Sequence, residues 1–231
     1  MKVLSLSTIL ALAIFALFPQ LDINFSKLFY VEGQGFPYRD HIISKIFYIS
    51  VRATCWLIAI CCLFAAIYSG VKKFLPVAAQ KTGDKIRALI KFSNRQLIYL
   101  FLVIVITPGI LVHWVMKPVW ERARPVNVTE FGGQYQFTNF YHAGAGQDGK
   151  AFPSGHASMA FALVALAYMV RESRRRKVLA ITITYGTIAS LARVWQGGHW
   201  LSDVTFSAII TLWTILLLKR FFLDKKASKT P

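Results

Sequence analysis

The chain has 231 residues, of which 55% are hydrophobic, and its mean hydropathy is +0.49. This composition excludes an ordinary soluble domain and predicts one integral membrane domain over residues 1–231, with the lipid bilayer as its surroundings. The net charge is +17. Because the basic residues cluster between apolar segments, they indicate membrane topology and anionic lipid, and no nucleic-acid partner is expected.

Six apolar segments are long enough to cross a bilayer when helix tilt is allowed for. In chain order they are roughly 3–19, 46–70, 96–116, 156–171, 178–195 and 203–223. The first resembles a signal peptide but lacks a small-x-small cleavage site, which favours a retained helix. The sequence therefore predicts an all-α fold, a bundle of six transmembrane helices.

Lys and Arg residues predict the orientation of this bundle. The basic stretches are 71–95 with seven, 171–177 with five and 219–231 with five. The alternating stretches are 20–45 with three, 117–155 with four and 196–202 with none. Since basic loops stay in the cytoplasm, the second group is expected to face outward.

Three polar clusters lie at the outward ends of the predicted helices. They are KPVWERARP (117–125), PSGH (153–156) and ARVWQGGHWLSD (192–203). In the first, Lys117, Arg122 and Arg124 could anchor lipid headgroups, but such anchors are expected mainly on the cytoplasmic face. Arginine binds phosphate with two parallel hydrogen bonds, so the two arginines with a proline-fixed turn are interpreted as a phosphate clamp.

The PSGH cluster lies at the predicted start of the fourth helix. Ser154 offers a hydroxyl, and the backbone of Gly155 can approach a ligand closely. A helix N-terminus favours an anion. Ser154 also fits a simple N-cap, and the two interpretations are compatible, but capping does not explain His156.

The third cluster holds a histidine and a carboxylate four residues apart. If a helix begins near Trp200, His199 and Asp203 share one face. The carboxylate could then accept a hydrogen bond from one imidazole nitrogen and leave the other as a nucleophile or base. An interfacial histidine beside an unrelated N-cap aspartate is the alternative. Arg193 adds another cation.

This combination of cations, two histidines, a carboxylate and a helix N-terminus suits phosphoryl transfer, where positioning and charge stabilisation dominate. The sequence has no Gly-rich nucleotide loop and no set of several carboxylates suited to binding magnesium. A side-chain nucleophile with neither metal nor cofactor is therefore expected. These residues alone leave open which histidine attacks.

The three clusters resemble the type 2 phosphatidic acid phosphatases, which share an active-site pattern with vanadium haloperoxidases. The family pattern is Lys-x6-Arg-Pro, Pro-Ser-Gly-His and Ser-Arg-x5-His-x3-Asp. The matching positions are Lys117, Arg124, Pro125, Pro153, Ser154, Gly155, His156, Arg193, His199 and Asp203. Ala192 stands where the family usually has serine, which removes either a hydroxyl donor to the phosphate or a structural hydrogen bond.

The resemblance implies a role for each matching residue. His199 would attack phosphorus, Asp203 would orient it, and His156 would protonate the leaving oxygen and then activate water. The phosphoryl oxygens would be held by Lys117, Arg124, Ser154, Gly155 and Arg193.

The implied substrate is a membrane lipid phosphate, and the implied location is a bacterial inner (cytoplasmic) membrane, with the site facing the periplasm. The stretches 17–30 (LFPQLDINFSKLFY) and 124–133 (RPVNVTEFGG) resemble bacterial lipid A phosphatases. Undecaprenyl pyrophosphate and phosphatidylglycerophosphate are the alternative substrates, and transfer of the phosphoryl group to another lipid is an alternative reaction. A haloperoxidase is disfavoured by six spans without a soluble domain, and a lipid flippase would bind phosphate without releasing it. Oligomeric state is not predicted.

Overall fold

The computed structural model describes residues 1–89 and 92–224, and the helices of this part account for its regular structure. They are α1 (Lys2–Leu17), α2 (Gln20–Lys27), α3 (Ile42–Val71), α4 (Val77–Leu89), α5 (Asn94–Ile104), α6 (Lys117–Trp120), α7 (Gly155–Ala162), α8 (Glu172–Trp195) and α9 (Leu201–Phe222). A π-helical stretch, Val105–Met116, joins α5 to α6, and a 3-10 helix, Leu163–Tyr168, extends α7. The predicted all-α class is confirmed.

Within the described residues, four helices are long and apolar enough to cross a membrane: α3, α5 with its continuation, α8 and α9. The helices α1 and α2 are bent by 85° relative to each other, and if the two are taken as one broken span, there are five. The predicted fourth segment, 156–171, corresponds to a shorter apolar helix, Gly155–Tyr168, of about 24 Å, against a hydrocarbon core of roughly 30 Å.

The position of α7 explains its short length. Most of its residues are buried, among them Ala157, Ala160 and Phe161, and it packs against α3, α8 and α9. Gly186 of α8 allows this close approach, since a Cβ there would lie 3.1 Å from the ring of Phe161. A helix enclosed by other helices does not need to match the bilayer thickness.

The apolar core and the lipid-facing surface lie on opposite sides of the same helices. Tyr99, Val103 and Ile215 are fully buried between α5 and α9. Trp56 and Leu57 of α3 are mostly exposed. Exposed large apolar side chains are expected where a helix faces lipid.

The two ends of the bundle differ as the charge pattern predicts. At one end, the Trp195 indole at the end of α8 donates to Ser44 Oγ near the start of α3 (2.9 Å). At the other, Gln96 of α5 donates to the carbonyl of Met169, which precedes α8 (2.9 Å). The basic stretches 71–95 and 171–177 are at this second end. Of the charges counted there, Lys91 and those beyond 224 lie outside the described residues.

Candidate active site

The three polar clusters meet at the first end of the bundle. The backbone N–H of Ser154 donates to the carbonyl of Asp203 (3.4 Å), which joins the start of α7 to the start of α9. Lys117, at the start of α6, donates through Nζ to the carbonyl of Lys150 (2.6 Å). Residues about eighty positions apart in sequence therefore line one site.

His199 lies in the loop before α9 with its side chain buried. Its Nδ1 is 2.7 Å from the carbonyl oxygen of Ala151 and 3.6 Å from Oδ2 of Asp203. Because a carbonyl can only accept, Nδ1 carries the proton and Nε2 keeps its lone pair. The sequence suggested Asp203 as the hydrogen-bond acceptor, but the closer acceptor is Ala151.

The electrostatic surroundings of His199 favour the neutral imidazole. Burial lowers the pKa of His199 well below its ordinary value, and the positive charges of Lys117, Arg193 and Arg124 lower it further. A neutral ring at physiological pH is the form in which nitrogen can attack phosphorus.

Asp203 is held by a buried ion-pair network. It is the third residue of α9, and its Oδ2 accepts from the backbone N–H of Trp200 (2.7 Å). Its Oδ1 accepts from the guanidinium of Arg122 (2.6 Å), which also donates to Oδ2 of Asp22 (2.8 Å). Asp22 in turn caps α9 by accepting from the backbone N–H of Ser202 (2.8 Å).

This network corrects the interpretation of the first cluster as a clamp of two arginines. Arg122 is fully buried, and its nitrogens are used by carboxylates, by a hydroxyl and by the carbonyl of Thr138. Only Arg124 of the pair is half-buried and lines a cavity. The sequence could not separate the two, because both belong to the same short polar run.

The start of α7 faces Lys117. Ser154 is the N-cap, and its Oγ accepts from the backbone N–H of Ala157 (3.3 Å). A Cβ at Gly155 would lie 3.9 Å from Cε of Lys117 and 3.5 Å from the ring of His113. The N-terminus of α7 and the side chain of Lys117 thus border the same small space, and a helix N-terminus suits an anion.

His156 is the second buried histidine of the site. Its Nε2 is buried and has no hydrogen-bond partner among the described residues. Its ring stacks on that of Tyr48 from α3, with centroids 4.1 Å apart and planes inclined at 28°. An unpaired ring nitrogen held in this way is available to a bound ligand.

Arg193 lies near the end of α8 and faces the same site. Its guanidinium is 5.1 Å from the ring centroid of Tyr48 and donates to Gln196, and its Nε is unpaired within the described chain. A Cβ at Gly198 would lie only 2.5 Å from Nη2 of Arg193. Ala192, the departure from the family pattern, is buried.

A cavity of about 220 Å³ opens beside these groups. Its lining includes Arg124 and Arg193, together with Arg39, Lys45 and Tyr48, which the sequence analysis did not select. These three lie on or just before α3, far from the family motifs, and nothing in their local sequence indicates a site.

Asp22 was also missed, although a signal existed. An aspartate inside the otherwise apolar run LFPQLDINF is costly unless it is paired. It lies in one of the two stretches that resemble lipid A phosphatases.

A family model described as the PAP2 superfamily matches residues 96–227. The chain belongs to the PAP2 superfamily. This PAP2 protein is 30% identical over 219 residues to a protein named lipid A 4'-phosphatase from Francisella tularensis subsp. novicida, a match that covers 88% of both chains. A protein with the same name from Rhizobium leguminosarum is 28% identical over 214 residues and 87% of each chain.

A third relative named lipid A 4'-phosphatase, from Rhizobium etli, is 28% identical over 222 residues, covering 87% of this chain and 79% of that one. No solved structure matches. The family identified from the three motifs is confirmed, and this PAP2 protein is a multi-pass membrane phosphatase.

Proposed function

We propose that the protein removes a phosphate monoester from lipid A through a phosphohistidine on His199. The observation that carries the proposal is the hydrogen bond of His199, whose Nδ1 lies 2.7 Å from the carbonyl oxygen of Ala151 and leaves Nε2 free to attack. The positive charges of Lys117, Arg193 and Arg124 act on the same ring. The relatives named lipid A 4'-phosphatase support the choice of substrate.

In the first step, Nε2 of His199 attacks phosphorus, and the bond from phosphorus to the sugar oxygen breaks. His156, which takes up a proton when the bound phosphate dianion offsets the nearby cations, gives that proton to the leaving oxygen, so the leaving group departs as an alcohol. The phosphoryl oxygens are held by Lys117, Arg124, Arg193, Ser154 and the backbone N–H of Gly155. In the transition state, charge builds on these oxygens, where fixed donors are most effective.

In the second step, water replaces the histidine. His156, now neutral, takes a proton from a water molecule whose oxygen attacks phosphorus, and the nitrogen–phosphorus bond breaks. Inorganic phosphate leaves, and His199 regains its lone pair. The phosphorylated ring carries a positive charge, which the Asp203 carboxylate at 3.6 Å stabilises.

The reaction is proposed to need no metal ion. Asp203 already accepts from Arg122 and from the Trp200 backbone, and Asp22 accepts from Arg122 and Ser202. Their oxygens are therefore committed within the protein. Activity that is lost in a chelator and restored by magnesium would contradict this part of the proposal.

The site is proposed to face the periplasm, with the acyl chains of the lipid held in the outer leaflet of the inner membrane. The basic loops at the opposite end of the bundle support this orientation. In a background without the native cysteines, Ala143→Cys should react with an impermeant thiol reagent in intact spheroplasts. Ser173→Cys, which lies between basic residues at the other end, should react only after lysis.

The direct test is mass spectrometry of lipid A from a Gram-negative host that expresses the protein. Wild type should remove one phosphate, and His199→Ala, expressed to the same level, should remove none. A fully phosphorylated profile, together with hydrolysis of undecaprenyl pyrophosphate by the purified protein, would favour the alternative substrate. A phosphorylated acceptor lipid in place of free phosphate would indicate a phosphotransferase.

A further inference from the structure

The cavity beside the proposed phosphate site contains more positive charge than one phosphate requires. A phosphate monoester carries up to two negative charges, and Lys117, Arg124 and Arg193 already supply three positive ones. Arg39 and Lys45 add two more at the same cavity.

These two additional cations are only weakly neutralised by the protein. Asp40, which also lines the cavity, is 3.4 Å from Nζ of Lys45, and both side chains are more than half exposed. An exposed pair of this kind contributes little. Arg39 has no side-chain hydrogen bond or ion pair within the described residues, and it lies in electrostatic range of Arg193.

Like charges that converge beside a single exposed carboxylate, here Asp40, repel one another unless an anion lies between them. The fold nevertheless holds them together. Ser44 Oγ donates to the carbonyl of Tyr38 (2.7 Å) and accepts from the Trp195 indole. These contacts tie the segment with Arg39 to the end of α8, where Arg193 lies.

We propose that Arg39 and Lys45 form a second anion subsite, which binds another acidic group on the headgroup of the same lipid. This inference rests on the proposed function and adds to it a preference for lipids with two acidic groups. The second group can be a phosphate or a carboxylate, since both accept from guanidinium and ammonium groups.

The test compares substrates that differ by one acidic group. Purified full-length protein is given lipid A with phosphates on both sugars or with the 4'-phosphate alone. A second pair, with and without a sugar carboxylate, distinguishes the two sources of charge. Selectivity is the ratio of kcat/KM for the lipid with the additional group to kcat/KM for the lipid without it.

Arg39→Gln and Lys45→Gln should each lower this ratio about tenfold for at least one of the two substrate pairs. A tenfold change corresponds to ~1.4 kcal/mol, and it should appear in KM. Asp40→Asn should raise the ratio, because it removes a negative charge from the cavity lining. Lys27→Gln is the matched control: Lys27 is an exposed cation in the same outward stretch but outside the cavity, and its ratio should equal that of wild type.

An unchanged ratio in both pairs for Arg39→Gln and Lys45→Gln would overturn the subsite, as would an equal fall in Lys27→Gln. Wild type that leaves every lipid A intact would contradict the proposed function instead. The subsite is then tested on undecaprenyl pyrophosphate against undecaprenyl phosphate, which also differ by one phosphate, with the same ratios expected.

Discussion

Arg122 and Arg124 are two positions apart, and their replacement should change different properties of the protein: stability for Arg122 and catalysis for Arg124. Arg122 is fully buried and donates to Asp22, Asp203, Ser202 and a backbone carbonyl. Arg122→Met keeps much of the volume but leaves two buried carboxylates without their cation. Removing one member of a buried ion pair costs about 3–5 kcal/mol. For a chain of this length that is a fall in Tm of ~6–20 °C.

Arg124 has no side-chain hydrogen bond within the described residues, and it is half-buried at the cavity. Arg124→Met should therefore unfold within a few degrees of wild type. Its loss should appear in catalysis, where a charge-assisted contact to phosphate is worth about 1.5–3 kcal/mol, or roughly 10- to 150-fold in kcat/KM.

Both variants can be purified in the same detergent. The Tm of each is measured by circular dichroism, and its activity is measured as phosphate released from the same lipid. A double variant, Asp22→Asn with Arg122→Met, removes one of the unpaired charges and should recover part of the lost Tm. If Arg122→Met melted with wild type, or if the double variant melted lower still, the assigned ion-pair network would be wrong.

Three further predictions concern the chemistry of the site. His156→Ala should lower hydrolysis of the lipid by about 10²–10⁴-fold. It should be partly rescued with a nitrophenyl phosphate, whose leaving group needs no proton, although water must still be activated. Equal losses on both substrates in the first step, phosphorylation of His199, would exclude the acid role. Burial and nearby cations lower the pKa of His199. Its nitrogen-15 NMR signals, assigned by comparison with His199→Ala, should therefore show a neutral ring protonated on Nδ1 even well below pH 6.5. A ring that titrates near pH 6.5 would contradict this. Gly198→Ala should displace the flexible guanidinium of Arg193, 2.5 Å from the new Cβ, and lower kcat/KM about tenfold with little change in Tm; wild-type kinetics would show that Arg193 does not need its observed position.

The sequence was sufficient to locate the apolar helices and to select the residues of the three motifs. Apolar length located six helical segments, but it could not show that α7 is enclosed by other helices and therefore shorter than the bilayer. Motif spacing selected His199 and Asp203, but it could not show that Ala151 lies closer to Nδ1 than the carboxylate does. That contact depends on a loop almost fifty residues away.

The residues that the sequence missed share one physical cause. Asp22, Arg39 and Tyr48 belong to the first quarter of the chain and reach the site only because α2 and α3 pack beside α7 and α9. Their local sequence is that of a membrane segment and its flanks. Charge in an apolar run marks Asp22 as paired or functional, whereas exposed basic residues such as Arg39 have many ordinary explanations.

The arrangement of buried charge gives a reason for placing Arg122 between two carboxylates. With both acids ionised, Asp22, Asp203 and Arg122 together carry one net negative charge. The Asp203 carboxylate lies on the Nδ1 side of His199, 3.6 Å from that atom. In the proposed mechanism, the ring becomes positive when Nε2 bonds to phosphorus, and the negative charge of the network then stabilises it. The network would therefore stabilise the positive ring more than the neutral one, and an interaction that strengthens towards the transition state accelerates a reaction.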